Sequence, residues 1–395
     1  MLAGEEKQLI ETELTRIKAA KGFRHIRSQR PIDSTHVAIE GKPYLVMNSN
    51  NYLGLTDCLH VQESAIQAIH QYGTGAGGAR LTSGNNPLYE ELEAALADFK
   101  GTEAALVFNT GYMANVGIIS SLIGKEGYIF SDALNHASII DGCRLSRGTT
   151  RVFAHKDMGQ LERLLEEVPV EVPKLIVSDG VFSMDGDLAP VSDICDLAGK
   201  YNALVMIDDA HATGVIAGGR GTAHAFNCQK RVDLQVGTLS KALASEGGFV
   251  ATSQKFRDYL VNKARSFIFS TALSPATIGA ALGALIELKE HPEVQKRLVR
   301  NQVFMEKLLH NRGIACQTES PIFPILVGSN ERALQLADYM YDRGILLSAI
   351  RPPTVPEGQS RLRLTVTAAH TEEELAQVAD VLSEGLQAFS SKKEV

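Results

Sequence analysis

The stretch VDLQVGTLSKALASEGGFV, residues 232–250, places a single lysine, Lys241, directly after a short apolar run. The run LQVGTLS (234–240) predicts a buried strand that leads into a turn, and small residues flank the lysine on both sides. A lysine that only contacts water has no need of such a setting. A partly dry pocket lowers the pKa of an amine, which favours its reactive neutral form. We therefore expect Lys241 to be a reactive group at the end of a strand.

Outward from this stretch, short apolar runs alternate with helical patterns from residue 56 to residue 275. The strand candidates are AALVF (104–108), GYIFSD (127–132), KLIVSDG (174–180), ALVMIDDAH (203–211) and LQVGTLS (234–240). The helix candidates between them are NPLYEELEAALADFK, MGQLERLLEEV and VSDICDLAGKY. Strands that are apolar throughout and separated by helices predict a large α/β domain, with a mostly parallel sheet covered on both faces.

The two ends of the chain follow other patterns. Residues 1–55 predict a helical and turn-rich segment, in which the first thirty residues look helical. Arg24, Arg27 and Arg30 recur there at every third position, so they could gather on one side of a helix. The chain therefore begins with a candidate basic surface.

Residues 276–395 predict a smaller α+β domain. RLRLTVT (361–367) alternates polar and apolar residues, as a half-exposed antiparallel strand does. In the helical pattern that follows, Thr371 and Glu374 fit a helix-capping box. The change of pattern relative to residues 56–275 indicates a separate unit.

Composition narrows the functional class. The 395 residues include 39 basic and 46 acidic side chains, a formal charge of −7, which argues against a general nucleic-acid binder. No apolar run approaches the roughly 20 residues of a membrane-spanning helix, and no signal peptide is recognisable. The cysteines are odd in number and form no C-x-x-C pair; they are Cys58, Cys143, Cys195, Cys228 and Cys316. We expect a soluble cytoplasmic protein with reduced thiols and no metal site.

Polar residues follow three of the predicted strands. Asp208 ends one, with His211 three positions later, and Asp179 and Ser183 follow another. Ligands of open α/β sheets bind beyond the carboxyl ends of the strands, where Lys241 is also expected. Any one of these residues alone is more typical of a solvated loop or a helix cap. An acid, a histidine and a shielded lysine together indicate a site.

This combination suits pyridoxal 5'-phosphate (PLP). The cofactor needs an amine for its aldehyde, a carboxylate beside its ring nitrogen, and backbone N–H groups at a helix N-terminus for its phosphate. VFNTGYMANVGIISSL supplies the last of these, with a strand, a turn at Gly111 and a helix that begins near Tyr112. The residues therefore predict a PLP enzyme.

Four motifs, DDAHATGV, GTLSKALASEGGF, NHASIIDGCRLS and DGVFSMDG, resemble in order and spacing those of the α-oxoamine synthases, which are fold-type-I PLP transferases. The resemblance extends from SNNYLGL to RLRLTVTAAHT. It implies a large domain with a seven-stranded sheet, a small C-terminal domain, and a homodimer with a shared active site. AIRPPTVPEGQSRLRLT is similar to the members that join L-alanine to a pimeloyl thioester, carried by CoA or by acyl carrier protein, in biotin synthesis.

The resemblance also implies roles for the site residues. Lys241 would bind the cofactor aldehyde and later move the α-proton, and Asp208 would pair with the ring nitrogen. His211 and Ser183 would hold the phenolic oxygen of the ring. His136, in NHAS, would stack over the ring.

Phosphate and substrate contacts follow in the same way. The backbone at Gly111 and Tyr112 would hold the phosphate together with Thr238 and with Thr271 of the neighbouring subunit. The residues expected to bind substrate are Asn50, Arg351 and Arg24. Arg351 would grip the amino-acid carboxylate in a bidentate manner. Arg24 would lie near the mouth of the site, where a basic patch could attract an anionic acyl-CoA or acyl carrier protein.

Three other functions stay open at this point. One is the related ligase that uses glycine and acetyl-CoA, although its members usually lack the Arg-Pro-Pro-Thr run. Another is an aminotransferase on the same fold, which would usually need a second substrate arginine. The third is a non-catalytic partner subunit, but such subunits lack the Schiff-base lysine and this chain has Lys241.

Overall fold

The computed structural model describes residues 2–389, with side chains from residue 8 onward. Residue 1 and residues 390–395 of the predicted terminal segments lie outside the described residues. The helices are α1 (Leu2–Ala19), α2 (Leu59–Tyr72), α3 (Pro87–Lys100), α4 (Gly111–Leu122), α5 (Ala137–Leu145), α6 (Met158–Glu166), α7 (Val191–Tyr201), α8 (Thr222–Ala225), α9 (Gln254–Lys263), α10 (Arg265–Ile268), α11 (Pro275–Glu290), α12 (Glu293–Asn311), α13 (Asn330–Tyr341) and α14 (Glu372–Ala388). The strands are β1 (Arg30–Pro31), β2 (His36–Ile39), β3 (Lys42–Val46), β4 (Ala104–Phe108), β5 (Tyr128–Asp132), β6 (Thr149–Phe153), β7 (Lys174–Asp179), β8 (Leu204–Asp208), β9 (Leu234–Thr238), β10 (Gly248–Thr252), β11 (Ile322–Gly328), β12 (Ile345–Leu346), β13 (Ser348–Ile350) and β14 (Ser360–Thr365).

The largest sheet has seven strands in the order β4-β10-β9-β8-β7-β5-β6. The pairings from β9 to β6 are parallel, and β10 is antiparallel to both of its neighbours. The predicted α/β fold with a mostly parallel seven-stranded sheet is therefore confirmed. The parallel strands bring the polar residues after β7, β8 and β9 to one edge of the sheet.

Both faces of this sheet are buried, as the apolar runs predicted. On one face, Leu175 and Val177 of β7 pack with residues of α4 and α5 such as Ile118 and Ile139. On the other face, Ile176 packs in a second cluster with residues of α6 and α7. Alternate side chains of a strand point to opposite faces, so the central positions of a strand that is covered on both faces are apolar.

The first helix is shorter than predicted. Helix α1 ends at Ala19, where Lys21 adopts a left-handed conformation (φ 53°) and the Gly22 N–H donates to the Ile17 carbonyl at 2.8 Å. This 6→1 bond is typical of a Schellman helix end. The expectation that Arg24, Arg27 and Arg30 share one side of a helix is therefore wrong: the first two lie in an irregular segment and Arg30 begins β1.

The strands near the N-terminus pair with the C-terminal part of the chain. Strand β3 lies antiparallel to β2 and parallel to β12, with Val46 opposite Leu346. Leu45 and Met47 also pack in the cluster that contains Phe323 and Leu364. Residues 30–47 thus belong structurally with elements that follow them by about 300 residues in the chain.

Strand β14 lies between β11 and β13 and is antiparallel to both, as RLRLTVT predicted. The half-exposed character is wrong, because all six residues of β14 are buried. Arg361 contacts Asp185, and Arg363 Nε donates to the Ser183 carbonyl at 2.6 Å. The polar face of β14 is turned toward the large sheet rather than toward water. The capping box of Thr371 and Glu374 at α14 is confirmed.

The predicted domain boundaries at residues 55 and 275 stay predictions. Helix α11, which begins at the second boundary, packs Ile278, Ala281 and Leu285 in the cluster that contains Phe249 of β10. Within residues 2–389, no helix combines the length and hydropathy needed to cross a membrane.

Candidate active site

Lys241 lies just beyond β9, at the carboxyl edge of the large sheet. Its Nζ is 2.9 Å from His211 Nε2. Burial lowers the pKa of Lys241 to about 8, although the nearby Asp208 and Asp179 carboxylates oppose the shift. At pH 7 about a tenth of this amine is therefore neutral, far more than for a solvated lysine, as the reactive-lysine interpretation requires.

His211 connects Lys241 to a buried tyrosine. Its Nδ1 is 2.6 Å from Tyr52 Oη, and burial followed by the Lys241 and Arg363 charges lowers its pKa well below the usual range. His211 is therefore neutral. With Lys241 donating to Nε2, the Nδ1–H donates to Tyr52 Oη. The tyrosine hydroxyl is in turn 3.4 Å from Asn50 Oδ1. These groups form one hydrogen-bonded line.

Two carboxylates end adjacent strands, with Asp179 of β7 opposite Asp208 of β8. Asp208 accepts from Asn115 Nδ2 at 2.6 Å and from the Ala210 N–H at 2.9 Å. Asp179 accepts from the His136 N–H at 2.8 Å. Burial, and then the charge of Asp208, raise the pKa of Asp179 well above its usual range. The arrangement favours one charged carboxylate over two at this edge.

His136 caps helix α5, with its Nδ1 2.7 Å from Ser138 Oγ. Its ring opens into the cavity that Lys241 and Asp208 line. The surrounding protein desolvates the ring and lowers its pKa, so the imidazole is favoured over the imidazolium. A neutral flat ring facing a cavity is suited to stacking on an aromatic ligand.

The N-terminus of α4 forms another wall of the cavity. Thr110 caps this helix by accepting from the Met113 N–H, and Gly111 and Tyr112 are its first residues. A Cβ placed on Gly111 would meet Thr238 at 3.6 Å. Thr238 itself is held by its hydroxyl, which donates to the Gly247 carbonyl at 2.8 Å. The helix end and Thr238 thus face each other, as a phosphate site between them requires.

Arg363 is the main residue that sequence reasoning missed. It is only 6% exposed, and its guanidinium donates to Asn50 Oδ1 at 3.1 Å and to Tyr52 Oη at 3.3 Å. Within the described side chains no carboxylate forms an ion pair with it. A buried guanidinium without an acidic partner is costly, so this one is suited to a ligand carboxylate.

Arg351 lies against the N-terminal segment that contains Arg24, and the predicted substrate contacts of both residues stay predictions. Arg351 follows β13 and donates to the Lys21 carbonyl, whereas Arg363 contacts Ser183, which lines the Lys241 cavity. Burial and the charge of Arg24 lower the pKa of Arg351. Two guanidinium groups are therefore close together on the side of the N-terminal segment.

Ser183 and Thr271 differ in their relation to this cavity. Ser183 lines the cavity, and its carbonyl accepts from Arg363 Nε. Thr271 is exposed, and its carbonyl accepts from Asn109 Nδ2 at 2.6 Å. The proposed phosphate contact of Thr271 needs a second copy of the chain and stays a prediction.

The cavity has a volume of about 240 Å³. Its lining residues include nearly all of the predicted cofactor contacts, namely Gly111, Tyr112, His136, Ser183, Asp208, His211, Thr238 and Lys241. The donor set fits PLP, since it combines an amine of lowered pKa, a strand-end carboxylate, a flat imidazole and an open helix N-terminus. The chain therefore has the groups that this cofactor needs.

Comparison with known proteins identifies the family. Residues 42–382 match the model of the class I and II aminotransferases. The 8-amino-7-oxononanoate synthase of Lysinibacillus sphaericus is 50% identical over 348 residues, which are 88% of this chain and 90% of that protein. The chain belongs to the α-oxoamine synthases of this aminotransferase family.

Solved structures of α-oxoamine synthases agree. Serine palmitoyltransferase of S. paucimobilis with bound PLP–myriocin superposes with a TM-score of 0.91 at 32% identity, covering 98% of each chain. The 8-amino-7-oxononanoate synthase of Francisella tularensis gives a TM-score of 0.76 at 27% identity, covering 87% of this chain and 98% of that one.

Three residues of this α-oxoamine synthase site carried little or no signal in the sequence. Asn115 is an ordinary residue in a helix, and Tyr52 is in a turn-rich segment far from the other motifs. Arg363 carried a signal that was misinterpreted, since its alternation with leucines indicates a polar face without saying what that face contacts.

Proposed function

We propose that this chain condenses L-alanine with a pimeloyl thioester to give 8-amino-7-oxononanoate, carbon dioxide and the free thiol, in biotin biosynthesis, with PLP as cofactor. The observation that carries the proposal is the cavity in which Lys241, Asp208, His211 and His136 meet. It lies in a chain half identical to an enzyme of that name.

Each residue of the cavity would contact a different part of the cofactor. Lys241 would hold its aldehyde, Asp208 its ring nitrogen, and the Gly111 and Tyr112 backbone with Thr238 its phosphate. His136 would stack on the ring. When bound, PLP supplies an electron-withdrawing ring that makes the α-hydrogen of an attached amino acid acidic.

Lys241 is the group that takes and returns the α-proton. Its amine has a pKa of about 8, so it can accept a proton near neutral pH and release it again. His211 fixes the position of Nζ through the 2.9 Å contact, and Tyr52 fixes His211 from the other side. The line from Tyr52 to Lys241 therefore orients the base.

Arg363 binds the alanine carboxylate in this proposal. It is buried beside Asn50 and Tyr52, at the same edge as Lys241, and it has no acidic partner among the described residues. Arg351, which the sequence favoured for this task, is better placed for the acyl substrate together with Arg24. A pimeloyl chain has a distal carboxylate and its carriers have phosphates, so an outer cationic pair suits that side.

We propose acyl carrier protein as a source of the acyl group, alongside CoA. The segment after α1 exposes Arg24, Arg27 and Arg30, and Lys21 pairs with Glu331 at 3.2 Å. In the described part of the chain, no carboxylate lies within ion-pair distance of these three arginines. The patch provides positive charge near the acyl side in a net-negative protein.

We also propose that the enzyme is a cytoplasmic homodimer. Helix α1 exposes Leu9 and Ile10, and the segments near Thr271 expose Phe269 and Leu81. These apolar side chains would be covered by a second copy, which would bring its own Thr271 to the phosphate. Light scattering measures whether the protein is a dimer. Thr271→Ala should weaken PLP binding, and an unchanged PLP affinity would contradict the proposed phosphate contact across the dimer.

The test of the function is thiol release by the PLP-loaded protein. L-alanine with pimeloyl-CoA is compared with glycine plus acetyl-CoA, and with L-serine plus palmitoyl-CoA. The proposal expects the first pair to be preferred by kcat/KM. Preference for either other pair would replace the assignment and keep the cofactor chemistry. Release from pimeloyl-acyl carrier protein alone would identify the carrier.

A further inference from the structure

Lys100 and Asp209 form a fully buried ion pair next to the candidate active site, where Asp209 directly follows Asp208 in the chain. Lys100 Nζ lies 2.8 Å from Asp209 Oδ2, and both side chains are 0% exposed. Asp209 is the neighbour of Asp208, but the two carboxylates have different partners. Asp208 faces the cavity, whereas Asp209 faces the end of α3. A buried charge pair is costly unless its hydrogen bonds are complete, so its presence needs an explanation.

Both charges of this pair have further hydrogen-bond partners, and Lys100 Nζ has two acceptors for its three donors. Lys100 Nζ also donates to the Arg220 carbonyl at 2.7 Å. Asp209 accepts from the Thr222 hydroxyl at 2.6 Å and from the Thr222 N–H at 3.1 Å. Side chains at Gly180 or Gly221 would overlap the Asp209 carboxylate. The pair thus occupies a space that the absence of a side chain at Gly180 and at Gly221 leaves open.

The backbone of Asp209 starts the turn that carries His211. Its N–H donates to the Val236 carbonyl of β9 at 2.8 Å, and its carbonyl accepts from the N–H groups of Ala212 and Thr213. Because these bonds tie the turn to the Asp209 backbone, an anchored Asp209 side chain also fixes the positions of the neighbouring Asp208 and His211. His211 in turn holds Lys241 Nζ.

We propose that Lys100 and Asp209 are positioning residues, which hold the Asp208–His211 turn in the geometry that the Lys241 chemistry needs. The inference rests on the proposed PLP function. Neither residue touches the cavity; the pair acts through the turn. A small misplacement of reacting groups is enough to lower kcat strongly, while substrate binding by Arg363 on β14 is left unchanged.

The variants are Asp209→Asn, the double variant Lys100→Met/Asp209→Asn, and Thr222→Val, with Thr222→Ser as its conservative partner that keeps the hydroxyl. Lys174→Met is the matched control, because Lys174 is an equally buried lysine at the opposite edge of the sheet. Each protein is loaded with PLP, and four quantities are measured. These are the pH midpoint of the bound-cofactor absorbance, the PLP Kd, and the kcat and KM for L-alanine.

The proposal expects Asp209→Asn and the double variant to shift the absorbance midpoint and to lower kcat about tenfold or more, with the alanine KM within about twofold. Thr222→Val should show a smaller shift that Thr222→Ser does not. Lys174→Met should lower Tm alone. If the first two variants do not fold, Thr222→Val against Thr222→Ser decides.

The proposal would be overturned if the variants had a lower Tm but kept the absorbance midpoint, the PLP Kd and the kcat of the wild type. The pair would then have a structural role alone. A wild-type protein that shows no bound-cofactor absorbance would instead overturn the proposed function, and this inference with it.

Discussion

Two lysines with a lowered pKa lie at opposite edges of the large sheet, and only one of them faces a cavity. At the amino edge, Lys174 begins β7 and donates to three carbonyls, those of Pro169, Val170 and Val172, at 2.7, 3.2 and 3.0 Å. At the carboxyl edge, Lys241 follows β9 and contacts a neutral histidine at 2.9 Å. Both amines have a lowered pKa because of burial.

The two amines differ in the hydrogen-bond acceptors around them. An ammonium has three donors, and the carbonyls around Lys174 use all three, so its cationic form is a structural part of the turn before β7. Lys241 faces a cavity, and its neighbours leave donors free for a ligand. Lys241 thus differs from Lys174 in having donors left for a ligand in the cavity that it faces.

The strongest test of this comparison replaces each lysine in turn. Lys241→Ala should abolish the absorbance of covalently held cofactor and lower turnover by about 10³-fold or more, because it removes the covalent anchor and the base. Lys174→Met should lower the unfolding free energy by about 1–3 kcal/mol, since three carbonyls lose a donor, and leave kcat unchanged. Normal thiol release by the Lys241 variant would contradict the assignment.

Asp208→Asn tests the carboxylate at the active edge. The amide cannot keep a ring nitrogen protonated, so exchange of the alanine α-hydrogen with solvent deuterium should slow by about 10²-fold or more. The fold should be kept, because an amide has the shape of the carboxylate it replaces. NMR of recovered alanine measures the exchange, and circular dichroism is the control. An unchanged exchange rate would remove Asp208 from its role.

Two arginines separate the inner and outer parts of the site. Arg363→Ala should raise the alanine KM by about 10- to 100-fold, the loss of hydrogen bonds to a charged group. Arg351→Ala should leave the alanine KM within about twofold and raise the KM of pimeloyl-CoA. Steady-state kinetics with each substrate varied separates the two. The reverse pattern would restore the sequence-based assignment of Arg351.

His155 provides a smaller test. It lies at the carboxyl edge of the large sheet, and each of its ring nitrogens contacts a carboxylate. Its ring nitrogens lie 3.0 and 2.9 Å from Asp132 and Asp187, whose hydrogen bonds outweigh burial and raise its pKa to about 9. The stabilisation is complete below pH 6.5, where His155 is protonated in both states, and is lost as the pH rises through 9.

His155→Gln should therefore reduce the unfolding free energy by about 1–2 kcal/mol at pH 6, and by progressively less toward pH 9.5. Urea unfolding at several pH values measures this difference. The exposed His25→Gln serves as the control. A difference that does not change with pH would show that the two carboxylates do not hold a charged histidine.

The local patterns of the chain predicted the parallel sheet, and with it the edge at which the candidate site residues meet. Apolar runs bounded by helices predict parallel strands in an α/β fold. The carboxyl ends of those strands meet at one edge, which places Asp208, His211 and Lys241 close together. Long-range contacts were not predictable in this way. The alternation around Arg363 predicts a polar strand face but not which residues that face contacts. The spacing of Arg24, Arg27 and Arg30 predicted a continuous helix, whereas helix α1 ends at Ala19.

The pairing of β3 with β12 has a consequence for synthesis of the chain. Val46 finds Leu346 about 300 residues later, which takes roughly 15–60 s of translation at 5–20 residues per second. During that time one edge of the β1–β2–β3 ribbon stays without its partner, while the large sheet can already form on the ribosome. The nascent chain therefore exposes an open strand edge for most of its elongation, and this edge is where we expect a chaperone to bind first.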